Sequence, residues 1–129
     1  MTGANRGIGL ANVRNLALQY PQSSFNNGPL LVSLTAGDQS RGEEAVKLLH
    51  KDSQLKRADA LSDDGGLTTI QYHELDISSK QSIDEFASFL KEEHPDGIDF
   101  AINNAGIAMN GFGELARQGA GPIQWKTEL

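Results

Sequence analysis

The sequence predicts an α/β protein built on a parallel sheet, and three observations carry that prediction. Helical and strand-like segments alternate along the chain. A glycine-rich turn, T-G-x-x-x-G-x-G, opens the first helix. Two strand-like segments run straight into short polar motifs, "LDI" at Leu75 to Ile77 and "NNAG" at Asn103 to Gly106. Alternation of this kind places helices on the faces of a parallel sheet. Ligands of such sheets bind at the carboxyl ends of the strands, where both motifs are expected to lie.

The first helix is expected from Arg6 to Gln19, with Ile8, Ala11, Leu16 and Leu18 as apolar positions and Pro21 as its stop. "PQSSFNNGP" is a turn-rich loop. Leu30 to Ala36, "LLVSLTA", reads as a buried strand. "SRGEEAVKLL" opens the next helix, with Ser40 and Glu43 at capping-box spacing. "KDSQLKRADALSDDGG" reads as a helix end followed by a loop, and "LTTIQYHELD" as the second strand. "SSKQSIDEFASFLKEEHPDG" carries the clearest helical period: Ile83, Phe86, Ala87 and Leu90 fall at i, i+3, i+4 and i+7, and Pro95-Asp96-Gly97 closes the segment. "IDFAIN", Ile98 to Asn103, reads as a third strand. From residue 110 to 129 no period is sustained, so an irregular tail is expected after a dinucleotide-binding region over 1–109.

With 129 residues, 38% hydrophobic and 22% charged, the chain has the composition of one modest globular domain and not of a disordered segment. A net charge of −6 argues against nucleic acid or an anionic membrane as partner. The absence of cysteine removes disulfides, thiolate chemistry and Cys-ligated zinc. With no 18-residue apolar stretch and no signal-peptide pattern, a cytoplasmic location is the expectation. His50, His73 and His94 lack metal-site spacing, so no metal is expected, and Trp125 reads as a packing residue.

The glycine turn has a definite chemistry. A helix start leaves its first N–H groups unpaired and carries partial positive charge, so it can hold a diphosphate if the backbone comes close. Glycine is needed at the contact points because a side chain would block that approach. One glycine turns the chain, one admits the phosphate and one lets the helix pack on the sheet. Gly3, Gly7 and Gly9 can fill these roles; a purely structural turn is the competing reading.

Taken together, "TGANRGIGLA", "LTAGD" with "SRGEEAV", "LDISSKQSI" and "INNAGIA", in that order, resemble the short-chain dehydrogenase/reductase family, and within it the NADPH-dependent carbonyl reductases. The resemblance runs from about Thr2 to Met109. It implies a partial Rossmann-type, doubly wound parallel sheet. It implies a phosphate loop of Gly3, Asn5, Arg6, Gly7, Ile8 and Gly9. It also implies that Asp76 and Ile77 lie beside the adenine ring, and Asn104, Ala105 and Gly106 along the ribose and central strand. Asp76 could instead end a strand or begin a cap, and Asn104 could be a turn residue that satisfies backbone groups.

Ala36 stands where NAD-binding members carry a carboxylate for the ribose 2′-hydroxyl. The carbonyl reductases follow with an arginine, where this chain has Gly37. Arg6 and Arg41 match basic residues that face the 2′-phosphate in NADP-preferring members, so NADP (NADPH) is the expected cofactor, with one cationic contact fewer. The catalytic residues do not carry over. Tyr20 is followed four residues later by Ser24, and Tyr72 by Asp76, so neither forms Y-x-x-x-K. No catalytic residue is assigned. On the family pattern the chain is expected to lack the first, central strand and the C-terminal half. The expectation is a cofactor-binding portion of an oxidoreductase that is catalytically incompetent alone. A non-catalytic nucleotide-binding or partner-regulating module, and a non-functional gene-model fragment, stand as alternatives.

Overall fold

The computed structural model describes residues 1–106 of the chain. In order it contains α1 (Gly7–Gln19), β1 (Leu30–Ala36), α2 (Gln39–Lys51), α3 (Ser53–Arg57), β2 (Thr68–Glu74) and α4 (Lys80–Glu93), with single 3-10 turns at Tyr20–Gln22 and Ser62–Asp64. The irregular tail expected over 110–129, and Trp125 within it, lie outside the described residues.

β1 and β2 pair in parallel over their full lengths, from Leu30 opposite Thr68 to Ala36 opposite Glu74. Successive side chains on a strand point to opposite faces. Val32, Leu34 and Ile70 therefore share one face, and against it pack Val13 and Ala17 of α1, Ala45 and Leu49 of α2 and Leu55 of α3, with Ala60 and Leu61 closing the far end. This is the core. The opposite face bears Thr69, Gln71 and His73 on β2, where the His73 ring rests against Phe86 and Phe89 of α4 at centroid distances of 5.1 and 4.1 Å.

Three local expectations are corrected, and the expected helix at α4 forms. On α1 the buried positions are Gly9, Val13 and Ala17, whereas Ile8 is 75% exposed. The helix meets the core through its smallest residues, so the two chains of backbone come close. The α2 cap is Asp38, whose carboxylate accepts the Arg41 N–H at 2.9 Å; Ser40 lies inside the helix. An extended residue with a short acceptor side chain is what a helix start requires, and Asp38 is the last extended residue. The periodic face of α4 is real but buries none of its residues, because the sheet offers it only the half-polar face of two strands.

The expected third strand does not form a ladder: Ile98–Asn103 has no strand pairing, and Ile98, Phe100 and Ile102 are exposed. A strand needs a neighbour along its length, and here it meets one only at its end. Met1 and Thr2 fill that seam. The Met1 amino group donates to Ser33 O at 2.7 Å, Thr35 N–H donates to Met1 O at 3.0 Å, and Thr2 N–H donates to Ile102 O at 3.0 Å. Desolvation in the seam lowers the pKa of the Met1 amino group.

Candidate functional site

The residues leading into α1 make the centre of the site. Ala4 is fully buried, and its N–H donates to Thr35 O at 3.1 Å, which ties the loop to the end of β1. Gly3 has φ +60°, and a Cβ there would stand 2.8 Å from Ala105 Cα. Only glycine suits both that backbone and that approach. Gly9 is buried at the base of α1, where a Cβ would lie 2.6 Å from Asn104 Nδ2 and 2.8 Å from Ala4 Cα. Gly7 also has φ +58° but faces open space. The three glycines thus divide the work: Gly3 turns the chain, Gly9 lets helix and loop touch, and Gly7 leaves a side-chain-free surface.

Asn104 fastens this arrangement. Its Nδ2 donates to Thr2 O at 3.2 Å and Gly3 O at 3.1 Å. Its backbone N–H and that of Ala105 both donate to Thr2 Oγ1 at 3.0 Å. So Asn104 does satisfy backbone groups, as its structural alternative held, and those groups belong to the glycine loop. Ala105 packs on Gly3, while Gly106 is exposed just beyond. Thr2, absent from the sequence-based site, is the residue on which this cluster hangs; the signal was a hydroxyl directly before the first glycine.

At the start of α1 no side chain caps the helix. Arg6 is the extended N-cap residue, its side chain makes no cap bond, and the first turn has no acid. The first N–H groups of α1 remain available to an anion. Asn5 is half-buried, and the Arg6 and Ile8 side chains are exposed beside this opening.

A second group lies at the ends of β1 and β2. Leu75 N–H donates to Ala36 O at 2.9 Å, which keeps the two strand ends level. Gly37 faces Asp76: a Cβ on Gly37 would make ordinary contacts of 3.7 to 3.9 Å with it. Asp76 Oδ1 accepts from Ser78 Oγ at 2.6 Å and Ser78 N–H at 2.9 Å, and these bonds hold its carboxyl below the usual range. The Asp76 N–H donates to Ser82 Oγ at 2.9 Å. The turn into α4 is therefore part of Asp76's role. Ile77 follows, half-buried. Arg41 is exposed in the first turn of α2, its backbone held by Asp38.

No family model matches the chain. Individual proteins do. Carbonyl reductase (NADPH) 1 of Rattus norvegicus is 39% identical over 108 residues, which are 84% of this chain and 31% of that protein. The Sus scrofa protein of the same name is 40% identical over 84% of this chain and 29% of that protein. Carbonyl reductase (NADPH) 3 of Homo sapiens is 38% identical over 84% of this chain and 31% of that protein. The chain thus spans about 31% of the length of the relatives it matches. Its parallel pair of strands, with helices on both faces, is what a part of a Rossmann-type sheet provides. Over 84% of its length the chain is similar to a segment of the carbonyl reductases, members of the short-chain dehydrogenase/reductase family.

Proposed function

We propose that this chain binds NADP(H) as the dinucleotide-binding portion of a carbonyl reductase-like oxidoreductase, and that the 129-residue polypeptide does not reduce carbonyls alone. The observation that carries the reading is the loop from Gly3 to Gly9: two positive-φ glycines, the first held through its carbonyl by Asn104, an uncapped helix start and a buried third glycine. Those features fit a diphosphate. Gly7 leaves the surface free of a Cβ, and the first N–H groups of α1 can donate to phosphate oxygens. Similarity to NADPH-dependent reductases favours NADP over other dinucleotides.

In this reading Arg6 and Arg41 hold the 2′-phosphate through charge-assisted bonds. Asp76 and Ile77 border the adenine, and Asn104 keeps the loop in its binding shape. When bound, the cofactor would supply hydride. The chain's own residues provide no proton donor in Y-x-x-x-K for a carbonyl oxygen. A positioned general acid is typically worth about 10²–10⁴ in rate. A cytoplasmic site of action accords with the lack, among the described residues, of any helix long and apolar enough to cross a membrane.

Calorimetric titration of the purified chain with NADPH and NADH tests the proposal. Saturable NADPH binding, tighter than NADH, is expected. Arg6→Ala and Arg41→Ala should each weaken NADPH by about 1–3 kcal/mol and NADH by less. Equal losses for both cofactors would remove the arginines from the phosphate site, and no saturable binding would end the proposal. NADPH oxidation with quinones, aldehydes or ketones should stay at background; robust turnover by the 129-residue chain would overturn its catalytic half.

A further inference from the structure

Tyr72 stands in the C-terminal half of β2, on the face that α2 covers, and it touches both sides of the loop that joins β1 to α2. A Cβ built on Gly42 would overlap ring carbons Cε2, Cδ2 and Cζ of Tyr72, so the first turn of α2 lies directly on the ring. At the other side of the loop, Tyr72 OH donates to Ala36 O at 3.3 Å. Between these two points run Gly37, Asp38 and Arg41. Their internal bonds, Gly42 N–H to Asp38 O and Arg41 N–H to Asp38 Oδ1, both at 2.9 Å, make the segment one stiff unit. One aromatic side chain therefore supports the start and the end of the same short connection.

We infer that Tyr72 is a positioning residue for 2′-phosphate selectivity: through Gly42 and Ala36 O it fixes the Gly37–Arg41 segment, the loop and first turn of α2, that presents Arg41 to the cofactor. This rests on the proposed NADP site and deepens it. In this role Tyr72 acts through the backbone it supports, at Ala36 O and Gly42. It decides whether the exposed Arg41 starts from a fixed backbone or a wandering one, and a pre-organised donor loses less entropy on binding. Gly42 is the counterpart of this device. Any side chain there would force the ring and the first turn of α2 apart and so disturb the support of Arg41. Burial, together with the nearby carboxylates Glu74, Asp38 and Glu43, pushes the Tyr72 hydroxyl above its ordinary pKa, so it remains a neutral donor at neutral pH.

The test compares two adenosine fragments, 2′,5′-ADP and 5′-AMP, which differ only in the 2′-phosphate, on the 129-residue chain. Tyr72→Phe removes only the bond to Ala36 O and should lower the ratio of the two affinities about threefold. Tyr72→Leu also removes the ring, and should lower 2′,5′-ADP binding about tenfold and 5′-AMP binding by less than about threefold. Amide hydrogen exchange is read in parallel without ligand. Exchange at Gly37 to Gly42 should quicken in both variants, more in Tyr72→Leu, while Val32 and Leu34 keep their protection. Equal loss of both fragments, or loop exchange unchanged in the two variants, overturns the inference. If Tyr72→Leu does not fold, Tyr72→Phe decides by the same two readouts. If the unaltered chain binds neither fragment, the NADP proposal fails, and so does Tyr72's role in selectivity; quickened loop exchange would then leave it only as a brace of the loop.

Discussion

Gly37 has ordinary φ and faces Asp76 across a gap of van der Waals width, so the backbone admits a side chain there. Gly37→Arg would set a guanidinium beside the exposed Arg41, and NADPH binding should tighten by roughly 1–3 kcal/mol, the scale of a charged hydrogen bond. A titration in which NADH tightens equally would mean that Asp76, not the 2′-phosphate, had captured the new cation. Asp76 itself makes a pH prediction. Its folded pKa is depressed, first by the Ser78 hydroxyl and then by the Ser78 N–H. A depressed carboxyl adds stability above its ordinary unfolded value, and that stability is lost as pH falls through the lowered value. Ser78→Ala should raise the Asp76 pKa toward the ordinary range, read from the carboxyl carbon shift by NMR; an unmoved titration would show that Ser78 is not the cause. The glycine positions were legible because only glycine can meet their physical demand. Thr2 and Tyr72 were not, because their parts depend on partners far away in sequence, Asn104 for Thr2 and Gly42 for Tyr72.

β1 could be read to the residue, since a short apolar run between turn signals has only one place to begin and end. α2 was legible as a helix but not at its cap. Ser40 with Glu43 fits the capping-box spacing, yet the chain is still extended only up to Asp38, and its carboxylate is the group that meets the Arg41 N–H. Asp38→Ala should destabilise the protein by about 0.5–2 kcal/mol, and Asp38→Asn by much less, because the amide oxygen can still accept. Urea unfolding midpoints decide this; equal effects of the two substitutions would mean that the charge and not the cap matters. α4 shows the limit of periodicity. Ile83, Phe86, Ala87 and Leu90 lie on one face, but a pattern states which face can be buried, not whether a neighbour is there to bury it. The same limit applies to Ile98–Asn103, whose strand-like composition meets a hydrogen-bonding partner at Ile102 alone.

At the scale of the molecule the open side of β1 governs stability. Ser33 O and Thr35 are engaged by Met1, but nearer the start of β1 no described residue pairs with that side of the strand, and Leu31 is 45% exposed. Phe25 and Phe100 meet edge-to-face at 5.7 Å, each more than two-thirds exposed. An unpaired edge and exposed aromatics each promote association between chains. A central parallel strand, buried on both faces, is the element that such an edge accepts. An apolar strand of about six residues fused ahead of Met1 would continue the line that Met1 and Thr2 already occupy between β1 and Ile102. Each large apolar side chain it buried would add roughly 1.5–3 kcal/mol. It would also anchor the glycine loop, because Gly3 and Ala4 follow directly. Without it, the 129-residue chain is expected to bind NADPH while cool but to melt broadly on warming and then to aggregate. With it, a cooperative transition should emerge, raised by at least about 10 °C and raised further by NADPH. Calorimetric melting of both proteins, with and without NADPH, is the measurement. A sharp transition in the 129-residue chain that the added strand leaves in place would show that Met1 and Thr2 suffice to hold the sheet and its loop.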